Sequence, residues 1–126
     1  MSVKRVYLSG ITGTDGALTA VGDARTVLGR LYAVKWDIGT FASGVDFTLY
    51  AVGGVDDTTL LTVANANADA IYFPRAIVHA MADGAALTGT SGGDRDLPLV
   101  DGYFKLVVAS GGDTKMGGAI IYYLDN

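Results

Sequence analysis

The sequence predicts an all-β fold, an antiparallel β-sandwich or jelly roll of about eight strands, and three observations predict it. Apolar, β-branched segments of five to ten residues recur between Gly, Asp and Thr punctuation, which is the spacing of strands joined by turns. No intervening stretch of useful length carries a helical period. All 13 acidic residues are Asp, Glu and Gln are absent, and 18 of the 126 residues are Gly, so exposed helices would lack the residue types that support them best. A closed barrel is the alternative arrangement of such strands.

In chain order, the first strand is predicted over residues 3–9 and a weaker one over 17–21. Gly29-Arg30-Leu31-Tyr32-Ala33-Val34-Lys35-Trp36-Asp37-Ile38 carries the clearest alternation. A period of two places Tyr32, Val34, Trp36 and Ile38 on one face and Lys35 and Asp37 on the other, which makes Trp36 a core anchor. Residues 45–52 alternate again, with Phe47, Leu49 and Ala51 opposite Asp46, Thr48 and Tyr50. Gly53-Gly54-Val55-Asp56-Asp57 supplies a turn and residues 58–63 return, so this pair reads as an antiparallel hairpin.

Residues 64–70, Ala-Asn-Ala-Asn-Ala-Asp-Ala, suit either a loop or one helical turn. A strand resumes over 71–81, although Pro74 cannot donate a ladder hydrogen bond and marks an edge or a bulge. Residues 82–96 lack a strand pattern and read as an exposed loop. The last strands, 103–110 and 119–124, are joined by a glycine-rich connection over 111–118 that suggests antiparallel neighbours.

A chain of 126 residues suits a single β domain over 1–126, large enough to bury about two-thirds of its unfolded surface in one core. With 50% apolar and 17% charged residues it is too hydrophobic for disorder. The net charge is −4, and the basic residues are scattered singly apart from Lys4-Arg5. No electropositive stripe is available to a nucleic acid. The apolar stretch near the N-terminus is too brief for a signal-peptide core, which points to synthesis in a cytosol without export. The longest apolar runs fall far below the roughly 20 residues of a membrane helix, so no membrane association is expected.

Candidate chemistry is sparse. The absence of Cys excludes thiolate chemistry and disulfides. His79, the single histidine, lies between apolar Ile77 and Met81 and reads as a packed strand residue. No Gly-x-Ser-x-Gly elbow accompanies it. Asp56-Asp57 and Asp94-Arg95-Asp96 offer oxygen ligands of the kind calcium needs, but neither matches an EF-hand loop, and Asp at turns ordinarily bonds its own backbone. Zinc would leave His79 without a partner ligand. The glycines of Gly10-Ile11-Thr12-Gly13-Thr14-Asp15-Gly16 do not have the spacing of a phosphate cradle. The expectation is a protein that is not an enzyme, with no cofactor and no metal.

More telling is that several strands are apolar on both faces. Val107 lies opposite Phe104, Leu106 and Val108, and Ile121 and Tyr123 lie opposite Ile120, Tyr122 and Leu124. A two-layer sandwich buries one face of each sheet, so the other face calls for cover by a loop or by another subunit. A homo-oligomer is expected, with Val107, Ile121 and Tyr123 as interface residues.

Gly29-Arg30-Leu31-Tyr32-Ala33-Val34-Lys35-Trp36, Asn65-Ala66-Asn67-Ala68-Asp69-Ala70, Tyr72-Phe73-Pro74-Arg75 and the closing Gly117-Gly118-Ala119-Ile120-Ile121-Tyr122-Tyr123-Leu124 resemble small structural proteins of tailed bacteriophage virions, including capsid decoration (cement) proteins and head-fibre components. The resemblance spans about residues 29–124. It implies a β-rich, non-enzymatic protein, made in the host cytoplasm, often trimeric, and located on the capsid surface with the major capsid protein as partner. A cement protein bridges capsid subunits and stabilises the shell because it binds only the assembled form. The alternative is a tail-tip or fibre module that recognises host-surface glycans through exposed tyrosines.

Overall fold

The computed structural model describes residues 2–22, 27–53, 57–77 and 95–125. Their regular elements are all strands: β1 (Ser2–Ile11), β2 (Leu18–Val21), β3 (Val27–Asp37), β4 (Asp46–Val52), β5 (Asp57–Val63), β6 (Ala70–Tyr72), β7 (Ala76–Ile77), β8 (Arg95–Asp96), β9 (Leu99–Ala109) and β10 (Met116–Asp125). Eight of them form a continuous antiparallel sheet in the order β1-β10-β3-β9-β4-β5, with β2 added to β9 and β6 to β3, while β7 and β8 pair with each other. The sheet folds into two layers, β1-β10-β3-β6 (layer A) and β2-β9-β4-β5 (layer B). The all-β sandwich expected from the sequence is therefore the fold.

The layers are hinged where the first residues of β3 pair with the first residues of β9, from Val27 opposite Gly102 to Arg30 opposite Leu99. Two glycines permit that crossing. A Cβ on Gly29 would lie 2.0 Å from the Leu124 carbonyl oxygen, and one on Gly102, at φ +135°, would lie 2.1 Å from that of Val52.

The alternation read in residues 45–52 is observed in β4: Phe47, Leu49 and Ala51 are buried, and the β4–β5 hairpin is antiparallel as expected. In β3 the alternation breaks. Val34 and Trp36 are buried, but so is Leu31, and Tyr32 is exposed instead of sharing their face. The β3–β10 register shifts by one residue where Tyr122 faces Ala33 and Tyr123 faces Leu31, leaving Tyr32 as the extra residue. A one-residue bulge exchanges the two faces of a strand, which is why a strict period of two misplaces Tyr32.

Two further expectations are resolved or corrected. Residues 64–69 form a loop and not a helical turn: Asn65 takes φ 53° and Ala66 is buried. The final two strands are not neighbours, because β10 inserts between β1 and β3 whereas β9 joins β4, β3 and β2. The glycine-rich connection thus passes from one layer to the other. The strand expected over 71–81 is interrupted at Phe73-Pro74-Arg75, as Pro74 suggested, and residues 78–81 lie outside the described residues.

The core lies between the layers. Leu8, Leu31, Val34, Trp36, Ala119 and Ile121 from layer A meet Phe47, Leu49, Phe104, Leu106 and Val108 from layer B. Trp36 has no exposed surface; its ring stacks on Phe47 at 4.2 Å between centroids and on Phe41 at 5.5 Å, and its indole N–H donates to the Ala66 carbonyl at 2.9 Å.

Candidate interaction surface

The three residues expected at an interface fall on different surfaces. Ile121 has no exposed surface; it points into the core between its cross-strand partners Val6 and Val34. Tyr123 has the same parity and is half-buried, with its ring 5.5 Å from that of Phe104. Val107 lies on the outer face of layer B, half-buried, flanked across the ladder by Thr19 and Thr48. The structure therefore does not bring them together. Both faces of β10 are apolar, so its own sequence does not decide which one is inside. Pairing with β1 and β3 decides it: Leu8, Trp36 and Val34 align with Ala119 and Ile121 and turn them inward.

The outward side of β10 consequently carries Ile120, Tyr122 and Leu124, and it belongs to an apolar outer face spanning layer A. Cross-strand register builds this face in rows: Ile11 beside Met116; Tyr7, Ile120, Lys35 and Ile71; Arg5, Tyr122 and Ala33; Val3 and Leu124. Val3, Tyr7, Ile11, Ile71 and Met116 are each 54–61% exposed. Cross-strand contacts of this type stabilise the sheet but leave the outer ends of the side chains in water. A shallow hollow of about 320 Å³ opens between Arg5, Tyr7 and Ile120. At the β6 margin, the bulged Tyr32 meets Phe73 edge-on at 6.1 Å, and the Arg75 guanidinium sits 5.8 Å from the Tyr32 ring and 5.9 Å from that of Phe73. Arg75 also donates to the Tyr32 carbonyl at 3.0 Å, which holds this aromatic corner against the bulge.

Sequence reasoning missed this face, although β1 carries a signal for it. Arg5 and Ser9 share parity with Val3, Tyr7 and Ile11, so polar residues already mark the odd positions as the solvent side. Pairing with β10 transfers that parity to Ile120 and Tyr122.

Several of the described carboxylates are engaged in turns and ladders. Asp15, Asp37, Asp46 and Asp69 accept hydrogen bonds from the backbone N–H groups of Ala17, Gly39, Asn65 and Ile38 at 2.9–3.0 Å. Asp57 pairs with Lys105, whose ammonium also lies 5.0 Å from the Tyr50 ring centroid. The hydrogen bond to Asp57, reinforced by its charge, raises the Lys105 pKa above the usual lysine value. Among the described residues, no three His, Cys, Asp or Glu side chains are grouped to hold a metal ion. His79, Asp56 and Asp94 lie outside the described residues, as does the stretch 82–94 expected to be a loop. The segment from Gly10 to Gly16 forms the turn between β1 and β2, with Gly13 N–H donating to the Ala17 carbonyl. Among the described residues, no helix is long and apolar enough to cross a membrane. Between the layers, a cleft of about 220 Å³ is lined by Val6, Val27, Phe104 and Tyr123 among others.

No family model and no curated protein matches the chain. A chain from the structure of infectious bursal disease virus, Gt strain, is similar at 15% sequence identity and a TM-score of 0.34, over 98% of this chain and 32% of that chain. This chain thus spans about a third of the length of that one, and the likeness is too loose to define a shared fold.

Proposed function

We propose that this protein is a non-enzymatic virion structural component of the capsid decoration (cement) type, which binds the assembled head through the outer face of layer A and bridges capsid subunits. The observation that carries the reading is that face: an apolar surface exposed among the described residues, on which Arg5, Lys35 and Arg75 stand and whose carboxylates, Asp37 and Asp69, are gathered where β3 ends and β6 begins. In a chain of net charge −4, a cationic and apolar face suits a docking site framed by acidic groups on the shell. The resemblance of residues 29–124 to tailed-phage structural proteins supports the same reading. The mechanism is contact area: binding only the assembled shell stabilises it by mass action, and repeated sites let a modest affinity per copy suffice.

The test is reconstitution on heads lacking the protein, with bound copies counted by gel densitometry. Hundreds of copies on the head, lost in Ile71→Asp and Lys35→Glu and retained in Val107→Asp on the opposite layer, are the expected result. A few copies confined to the tail, together with binding to a glycan array, would replace this reading with the receptor-binding one.

A further inference from the structure

We propose that the free edge of β1 pairs antiparallel with β1 of a second copy, about a two-fold axis passing through Tyr7. The sandwich has four edge strands, and three are blunted. β2 is four residues long, β6 is three residues long and runs into Phe73-Pro74, and β5 carries a register irregularity opposite Leu49 and Tyr50. β1 differs. It runs for ten residues in unbroken register with β10, contains no proline, and among the described residues pairs with no strand on its other side. A long regular edge presents a row of unpaired N–H and C=O groups, the feature that edge strands ordinarily suppress with short length, bulges, proline or charge, and the charges of β1 are confined to Lys4 and Arg5 near its start.

Charge and side-chain pattern select a second copy as the occupant. Antiparallel pairing about Tyr7 sets Val3 against Ile11, Arg5 against Ser9, Tyr7 against Tyr7, Lys4 against Gly10 and Val6 against Leu8. Apolar residues meet apolar residues, and each cation meets a small neutral one. Moving the axis to Val6 sets Val3 against Ser9 and Lys4 against Leu8 and so loses the apolar pairing, and moving it further brings Arg5 against Arg5 and then Lys4 against Lys4, which is unfavourable for directly opposed positions. A one-residue slip would set outward side chains against inward ones. The Tyr7-centred register also continues the outer face of layer A without interruption, because the row Tyr7, Ile120, Lys35, Ile71 meets its own copy at the axis. Nine paired residues span about 30 Å and make a contact smaller than the roughly 800 Å² per partner of a standard interface. Association is therefore concentration-dependent, and it closes as a two-fold dimer, not the trimer that the resemblance implies.

The chain has no cysteine, so introduced thiols report the register without background. Directly opposed residues of an antiparallel pair lie about 4.5–5.5 Å apart at Cα, within disulfide range. In Tyr7→Cys, mild oxidation should yield a disulfide-linked dimer. Val3→Cys alone should remain uncrosslinked, and Val3→Cys with Ile11→Cys should crosslink. In sedimentation of the purified protein from micromolar to submillimolar concentration, the wild type should form dimers. Tyr7→Lys should weaken them by about tenfold or more, and Tyr32→Lys, at the far margin of the same face, should leave them intact. Trp36 fluorescence verifies that each variant is folded. A monomer throughout, a trimer, or equal sensitivity to Tyr7→Lys and Tyr32→Lys would overturn the pairing. Head binding by a strictly monomeric protein would overturn this pairing and leave the proposed function standing.

Discussion

Trp36 concentrates more of the local stability than any neighbouring side chain, because two aromatic stacks and a buried hydrogen bond converge on one indole. Replacing it with Phe keeps part of the stacking but strands the buried Ala66 carbonyl and leaves a gap. Trp36→Phe should cost about 2–4 kcal/mol, measured by urea unfolding followed by circular dichroism. Thr12 is the buried polar counterpart. Its hydroxyl donates to the Gly112 carbonyl and accepts from Lys115 N–H at 2.8 Å, which fastens the end of β1 to the connection before β10. Thr12→Val preserves shape and removes both bonds, so a loss of about 1–3 kcal/mol is expected in the same assay. Thr114 runs in the opposite direction. A β-branched residue at φ 52° on an exposed turn is strained, and Thr114→Gly should raise stability by about 1 kcal/mol. Trp36 was legible as a core anchor from alternation alone. Phe41 was not, because it reaches the core from a connection with no strand period to announce it.

Among the elements, β4 and β5 were legible because one face is apolar, the other polar, and a glycine turn joins them. β3 and β10 were only half legible, and for different reasons. In β3 a bulge changes the phase at Tyr32, and no feature of Tyr32 marks it in advance. In β10 both faces are apolar, so the choice between Ile121 and Ile120 as the inward residue depends on register with β1, a strand more than a hundred positions away. The expected interface residues inherited that ambiguity, and the exposed face emerged on the opposite parity. Layer B carries its own testable link in the Lys105–Asp57 pair, which reaches from β9 over β4 to β5. Because folding raises the Lys105 pKa above its usual 10.5, the pair stabilises the sheet fully below that pH and its contribution fades as pH rises through the folded-state value. The urea midpoints of wild type and Lys105→Met should therefore differ near neutrality and converge at strongly alkaline pH.

For the whole molecule, four hydrogen bonds distinguish one end of the sandwich. The loops after β1, β3, β5 and β9 are bonded to one another or to neighbouring strand ends: Ala42 N–H donates to the Gly111 carbonyl, Gly111 N–H to Gly16, Ala66 N–H to Val45, and Ile38 N–H to the Asp69 carboxylate. Asp69→Ala removes one such bond at an exposed site, and a loss of about 0.5–1.5 kcal/mol is expected, measured by urea unfolding. The placement of β10 between β1 and β3 reaches further, into kinetics. Residues 2–11 are laid against 116–125, so the chain must search nearly its full contour before layer A can close. Loop-closure entropy precedes the reward of that contact, and refolding in the range of about milliseconds to seconds is expected, with layer A's β1 locking late. Until that moment the first strand is an unclaimed ribbon, and in a crowded cell the competing suitor for it is the identical ribbon of the next chain.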